Sequence, residues 1–134
     1  MVWALVQSRS ADLGAIVGTT ATLAFLSNVT AGNLIVAAFT RGSNVDVVTG
    51  VADTPVNTYS RASSGWQVDA NASQGLWVYY AGNINGGPCA VAFTFTFGNA
   101  DYNAMAIHEY SGGAAAPFDV GSGQFDSTGS TATD

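Results

Sequence analysis

QGLWVYYAGNINGGPCAVAFTFTFGNADYNAMAIHEY, residues 74–110, is the stretch that decides the fold. Residues 76–80 are of the aliphatic, β-branched and aromatic types that suit a pleated strand. Asn85-Gly86 suits the two positive-φ positions of a type I′ turn. We therefore expect residues 74–81 to form a hairpin with a strand that begins at Cys89.

The strand after Cys89 alternates large apolar side chains with alanine and threonine. Its large side chains are Val91, Phe93, Phe95 and Phe97. This period of two is typical of a strand with one buried face. We expect these four side chains to face inward together and to hold two layers of strands against each other.

The rest of the chain predicts more short strands, at residues 2–7, 19–26, 34–40, 45–52, 59–63, 102–110 and 118–125. No segment of 10–12 residues has a clean helical period. The spacing predicts an all-β fold, an antiparallel two-sheet sandwich that is jelly-roll-like and has eight or nine short strands. Residues 34–40 are apolar on both sides, which predicts a central strand covered on both faces.

Composition limits the domain organisation and the partners. The 134 residues suit one domain. We expect residues 1–126 to form the module and residues 127–134, which lack an apolar anchor, to be a flexible tail or a truncated continuation. The chain has three Arg and no Lys and a net charge of −6, which argues against nucleic acid as a partner. The lone Cys89 is expected to be a small buried residue.

Only 9% of the residues are charged, far below the usual share of about a quarter. A neutral polar surface of this kind is common in exported β proteins, so we expect an extracellular or cell-surface location. Residues 13–26 are too short for a membrane helix and have no cationic leader, so we expect neither membrane insertion nor a signal peptide within this sequence.

Aromatic residues near residue 77 and in polar loops are the candidate ligand-binding groups. Sugar rings pack on exposed aromatic faces, while their hydroxyls need directional partners. Trp77 and Tyr79 share one face of their strand and would form a platform if Leu76 faced the core. The alternative is that both are core aromatics. Trp66 and Tyr59 are the second pair of candidates, or else cover the edge of the sandwich.

Oxygen-bearing side chains at alternate positions after residue 97 raise the possibility of a structural calcium ion. The three candidate ligands are Asn99, Asp101 and Asn103. A turn capped by Asx side chains accounts for the same residues. No other cofactor is expected.

His108-Glu109 is not a metalloprotease signature, because Gly112 stands where the second histidine of H-E-x-x-H belongs. In a strand the two side chains point to opposite faces. Glu109 is the only glutamate. We expect it to be partly buried with a partner such as an arginine, or to lie where its strand leaves the core. Without a nucleophile elbow or P-loop motif, we expect no enzyme, with a hydrolase using His108 as the minority alternative.

Four short runs carry a resemblance to a known kind of module. They are NVTAGNLIV at 28–36, VAD at 51–53 leading to NTY at 57–59, WVYYAGNI at 77–84 with Gly86-Gly87, and EYSG at 109–112. Together they resemble secreted bacterial β-sandwich modules of large surface and adhesion proteins, which look like carbohydrate-binding jelly rolls. The resemblance covers about residues 2–125 and implies the architecture more strongly than an activity, since most such modules have no assigned ligand.

These observations favour a non-catalytic module of an exported bacterial protein that binds a polysaccharide or another glycan. The alternative is a structural or adhesive module that self-associates as a homo-oligomer through sheet edges or strand exchange, since few charges guard its edges.

Overall fold

The computed structural model describes residues 2–43, 45–62, 67–69, 74–96 and 102–113, with the backbone alone for 67–69. It contains nine strands in this part of the chain. They are β1 (Ala4–Asp12), β2 (Thr20–Ala24), β3 (Leu34–Arg41), β4 (Val48–Asp53), β5 (Ser60–Arg61), β6 (Gln67–Asp69), β7 (Gln74–Ala81), β8 (Ala90–Phe95) and β9 (Asn103–Ser111). No helix among these residues is long and apolar enough to cross a membrane.

The strands form two antiparallel sheets that pack as a sandwich. The larger sheet has the order β1-β9-β3-β7-β5, and the short β6 pairs with the same edge of β7 as β5 does. The smaller sheet has the order β2-β8-β4. β1 pairs with β9, β2 with β8 and β3 with β7, a nested pattern in which early strands meet late ones, as in a jelly roll. The predicted all-β sandwich is confirmed.

The core lies between the sheets and is centred on Phe39 of β3. Its ring stacks on Phe93 at 5.2 Å and on Phe95 at 5.5 Å between centroids, so it joins the larger sheet to the smaller one. Val91 is buried with these two phenylalanines, which confirms that β8 turns one face inward. Phe97, the fourth residue of that prediction, lies outside the described residues.

The predicted hairpin is wrong. β7 pairs with β3 in the larger sheet, and β8 pairs with β2 and β4 in the smaller one, so the connection between β7 and β8 crosses from one sheet to the other. The left-handed positions in this connection are Asn83, with φ 51°, and Gly87, with φ 118°, rather than the expected Asn85-Gly86 pair. Pairing with strands distant in sequence determined the path of the chain here, and the Asn85-Gly86 motif did not.

β3 is central, between β7 and β9, as predicted, but its two faces differ: the inner side chains are buried and the outer ones are half-buried. β4 has a register shift between Val48 and Gly50, and a glycine inside a strand often marks such an irregularity. The outer face of the larger sheet therefore carries partly exposed apolar side chains at its centre.

Candidate functional site

Trp77 and Tyr79 lie on the inner face of the larger sheet. Trp77 is 0% exposed and Tyr79 is 7% exposed, and both belong to the hydrophobic core. Their expected role as an exposed platform is therefore wrong, and the alternative, that they are core aromatics, is correct. The cause is the strand face: Leu76, Val78 and Tyr80 point outward, opposite to the orientation that a platform at Trp77 required.

A polar network explains why the indole of Trp77 turns inward. Its Nε1 donates a hydrogen bond to Oδ1 of Asp46 at 2.7 Å. Asp46 also forms a salt bridge with Arg61 at 2.6 Å, and Nε of Arg61 donates to the hydroxyl of Tyr79 at 3.0 Å. The polar atoms of Trp77 and Tyr79 thus have hydrogen-bond partners in Asp46 and Arg61, so both rings can be buried at little cost in free energy.

The outer face of the larger sheet carries the aromatic side chains that the platform hypothesis required. The strand register places five residues side by side in one line across the sheet, which we call the ring row: Ser8 of β1, His108 of β9, Val36 of β3, Tyr80 of β7 and Ser60 of β5. With strands about 4.8 Å apart, the ring row is about 19 Å long. It has a hydroxyl at each end, two rings inside them and an aliphatic centre.

Beside the ring row lies a hollow of about 330 Å³, which we call the alanine hollow. Its floor is formed by Ala38, Ala104 and Ala106, whose small side chains leave the depression between larger neighbours. Three residues with polar side chains, Ser10, Thr40 and Asp12, also belong to its lining. An apolar floor with a few polar groups at the rim is the usual form of a small-molecule site.

Tyr110 extends the aromatic surface along β9. Its ring stacks with that of His108, with 6.2 Å between centroids and an angle of 13° between the ring planes. Leu5 of β1 lies opposite Tyr110 in the register and Leu34 of β3 lies on its other side. The outer face therefore continues from the ring row into a second apolar line.

Glu109, between His108 and Tyr110, points the other way and is 0% exposed. Its Oε2 accepts from Nε2 of Gln7, and its Oε1 accepts from the backbone N of Thr30 and from Nδ2 of Asn33, each at 2.7 Å. These donors are neutral, so the expectation of an arginine partner is wrong. The carboxylate joins β9 to β1 and to the loop before β3, which is a structural role.

The chain matches no family model, no curated protein and no solved structure. The evidence for its function therefore lies in its own sequence and geometry.

Tyr59 belongs to a second network around Asp53. Oδ2 of Asp53 accepts from the Tyr59 hydroxyl and from Nδ2 of Asn57, both at 2.8 Å. The Tyr59 ring is half-buried against the core. Burial and the neighbouring carboxylate raise the pKa of this phenol above its ordinary value. Trp66, paired with Tyr59 in the sequence prediction, lies outside the described residues.

Cys89 borders the same network and is buried, as expected. Burial, followed by the nearby charge of Asp53, raises the pKa of its thiol to about 12. At neutral pH the group is a thiol rather than the reactive thiolate. The Asp53 network thus contains protonated donors around one carboxylate, an arrangement that stabilises the turn after β4.

Of the three predicted calcium ligands, Asn103 is the one that the structure describes. Asn103 is buried, and its Nδ2 donates to the carbonyl oxygen of Gly14 at 2.6 Å. Asn99 and Asp101 lie outside the described residues. In the part of the chain that the structure describes, no three His, Cys, Asp or Glu residues are grouped so that they could hold a metal ion.

Sequence reasoning missed Tyr80, Tyr110 and the outward role of His108 as candidate contacts. A signal existed for β9, because Met105 and Ile107 are the large apolar residues of one face and place His108 on the other. For β7 both faces are aromatic and aliphatic, so alternation alone could not decide which one is buried.

Proposed function

We propose that this chain is a non-catalytic carbohydrate-binding module, and that the ring row with the adjacent alanine hollow is its binding face. The observation that carries this proposal is the ring row itself. Tyr80 and His108 flank an aliphatic centre and are in turn flanked by serine hydroxyls. Rings accept the C–H faces of sugars, and hydroxyls at both ends supply directional hydrogen bonds.

The position of Glu109 supports binding rather than catalysis. Ser8 lies opposite His108 in the register, but the carboxylate next to His108 in sequence points into the core and has three donors there. A Ser-His pair needs such a group to orient its imidazole. We further propose, from the resemblance to bacterial surface modules and the low charge, that the chain works outside the cell.

The test is affinity electrophoresis in gels that contain soluble polysaccharides, with Tyr80→Ala as the variant. Losing a ring contact of about 1 kcal/mol weakens binding about fivefold. Tyr80→Phe keeps the ring and retains most of the retardation. Thr22→Ala, on the outer face of the smaller sheet, is the matched control and migrates like the wild type. Equal retardation of all four proteins, each with an unchanged thermal midpoint, would exclude this face.

A second candidate function is self-association through β1. Among the described strands, β1 is an edge of the larger sheet. Exposed apolar side chains lie at its start and just before it: Trp3 is 44% and Leu5 55% exposed. Long apolar edges are natural sites for pairing with another chain. Light scattering separates the two functions: a mass that rises with protein concentration, without retardation in any polysaccharide gel, favours the edge.

A further inference from the structure

The positively charged side chains of this protein all lie away from the proposed binding face. The whole chain has three Arg and no Lys, and the structure describes each arginine. Arg41 is 2% exposed, and its guanidinium lies 4.1 Å from the ring centroid of Phe95 in the core. Arg61 forms a salt bridge with Asp46.

Arg9 is the exposed member of the three. It belongs to β1, where its register partner is Ile107 of the inner face. Its Nη1 donates to the carbonyl oxygen of Ala24 on β2 at 2.7 Å, so the side chain spans from the larger sheet to the smaller one. No arginine of this chain therefore reaches the ring row or the alanine hollow.

Apart from the imidazole of His108 and the phenol of Tyr80, the polar groups of the binding face are hydroxyls and a carboxylate. Hydroxyls come from Ser8, Ser10, Thr40 and Ser60, and among the described residues that line the hollow only Asp12 bears a carboxylate. A carboxylate accepts hydrogen bonds from sugar hydroxyls but repels a uronate or a sulfate. Tight binding of carboxylate or phosphate groups normally uses Arg or Lys donors, which this face lacks.

The direction of the face is also defined by the register. The ring row runs perpendicular to the strands, and Ser10, Ala106, Ala38 and Val78 form the next line parallel to it. The hollow lies between this second line and a third line formed by Asp12, Ala104 and Thr40, so its lining comes from β1, β9 and β3. A ligand that uses both the rings and the hollow must therefore extend from the ring row along β9 and β3, toward Ala104 and Thr40.

Resting on the proposed function, we infer that the ligand is an uncharged polysaccharide that occupies the ring row and the alanine hollow formed by β1, β9 and β3, and that uronate-containing and sulfated glycans are excluded. The exclusion follows from the positions of the three arginines and of Asp12.

The experiment uses affinity gels with a β-1,4-glucan, a xylan and a galactomannan as neutral probes, and with polygalacturonate and a sulfated galactan as acidic probes. Low salt and pH 7.5 leave any electrostatic attraction unscreened. We expect retardation by at least one neutral polymer and none by the acidic ones. Ser10→Lys adds one cation beside the hollow and should introduce measurable retardation by polygalacturonate, whereas Thr22→Lys on the opposite sheet should not.

The two proposals fail in different ways. Retardation of the wild type by an acidic polymer and by no neutral one would overturn the uncharged-ligand inference and leave glycan binding intact. Ala38→Trp places a large side chain on the floor of the hollow. Retardation by neutral polymers that is equal in this variant, in Ser10→Lys and in the wild type would place the ligand elsewhere and overturn the stated site. Migration unaffected by any of the five polymers would overturn glycan binding itself.

Discussion

Glu109 and Asp46 are both carboxylates that receive hydrogen bonds from distant parts of the chain, but their surroundings differ. Glu109 is fully buried and has three neutral donors. Asp46 is 35% exposed and has the charged Arg61 together with the indole of Trp77. A carboxylate that is shielded from water depends on its hydrogen-bond donors to offset the cost of burial, whereas water weakens the interaction within an exposed ion pair. Glu109 should therefore matter more for stability and Asp46 more for pH dependence.

Replacing Glu109 gives the largest expected effect. Glu109→Leu leaves the backbone N of Thr30 and the amide of Asn33 without their acceptor and should lower the free energy of unfolding by about 3–5 kcal/mol. Urea denaturation measures the change. Glu109→Gln is the matched control, since it retains an acceptor oxygen and should cost about 1–2 kcal/mol. Equal losses in the two variants would contradict the role assigned to the donors.

Trp77→Phe should have an intermediate effect, because it weakens the Asp46 network without removing a charge. The variant loses the Nε1 donor to Asp46 and leaves unfilled space in the core beside Phe39. We expect a loss of about 2–3 kcal/mol in the free energy of unfolding. Trp3→Phe, at a 44% exposed position, is the control and should change stability by less than about 0.5 kcal/mol. Comparable losses at both positions would argue against a buried indole.

Asp46→Asn has the smallest expected effect, and its signature is its dependence on pH. Burial alone would raise the pKa of Asp46, but the hydrogen bonds from Arg61 and Trp77 and the charge of Arg61 outweigh it and hold the pKa below its ordinary value. A lowered folded-state pKa stabilises the protein above the unfolded pKa of about 3.9, and this contribution is lost as the pH falls through the folded value.

The difference in unfolding free energy between wild type and Asp46→Asn should therefore be about 0.5–1 kcal/mol near neutral pH and should shrink below about pH 4. Denaturation curves between pH 2.5 and 7 measure it. Arg61→Gln should reduce the same difference, since it removes the first of the two side-chain donors. A difference that grows toward low pH would have the opposite pH dependence and would refute the pairing of Asp46 with Arg61.

The binding face shows how far sequence reasoning could go. Alternation in β9 placed Met105 and Ile107 on one side, so the outward direction of His108 was available from the sequence. The same reasoning chose the wrong side of β7, because both faces of this strand carry large aromatic or aliphatic side chains and alternation does not distinguish them. The hydrogen-bond partner of Trp77 is Asp46, which lies 31 residues earlier in the chain.

The sequence by itself determined the all-β class and the inward face of β8, because period-two alternation of phenylalanine with small residues has one favourable orientation in a sandwich. It also determined that cations are scarce. The tertiary structure alone decided which face of β7 is buried, which donors satisfy Glu109 and where the three arginines lie. Those outcomes depend on pairs of residues far apart in the chain, whose proximity the nested strand order creates.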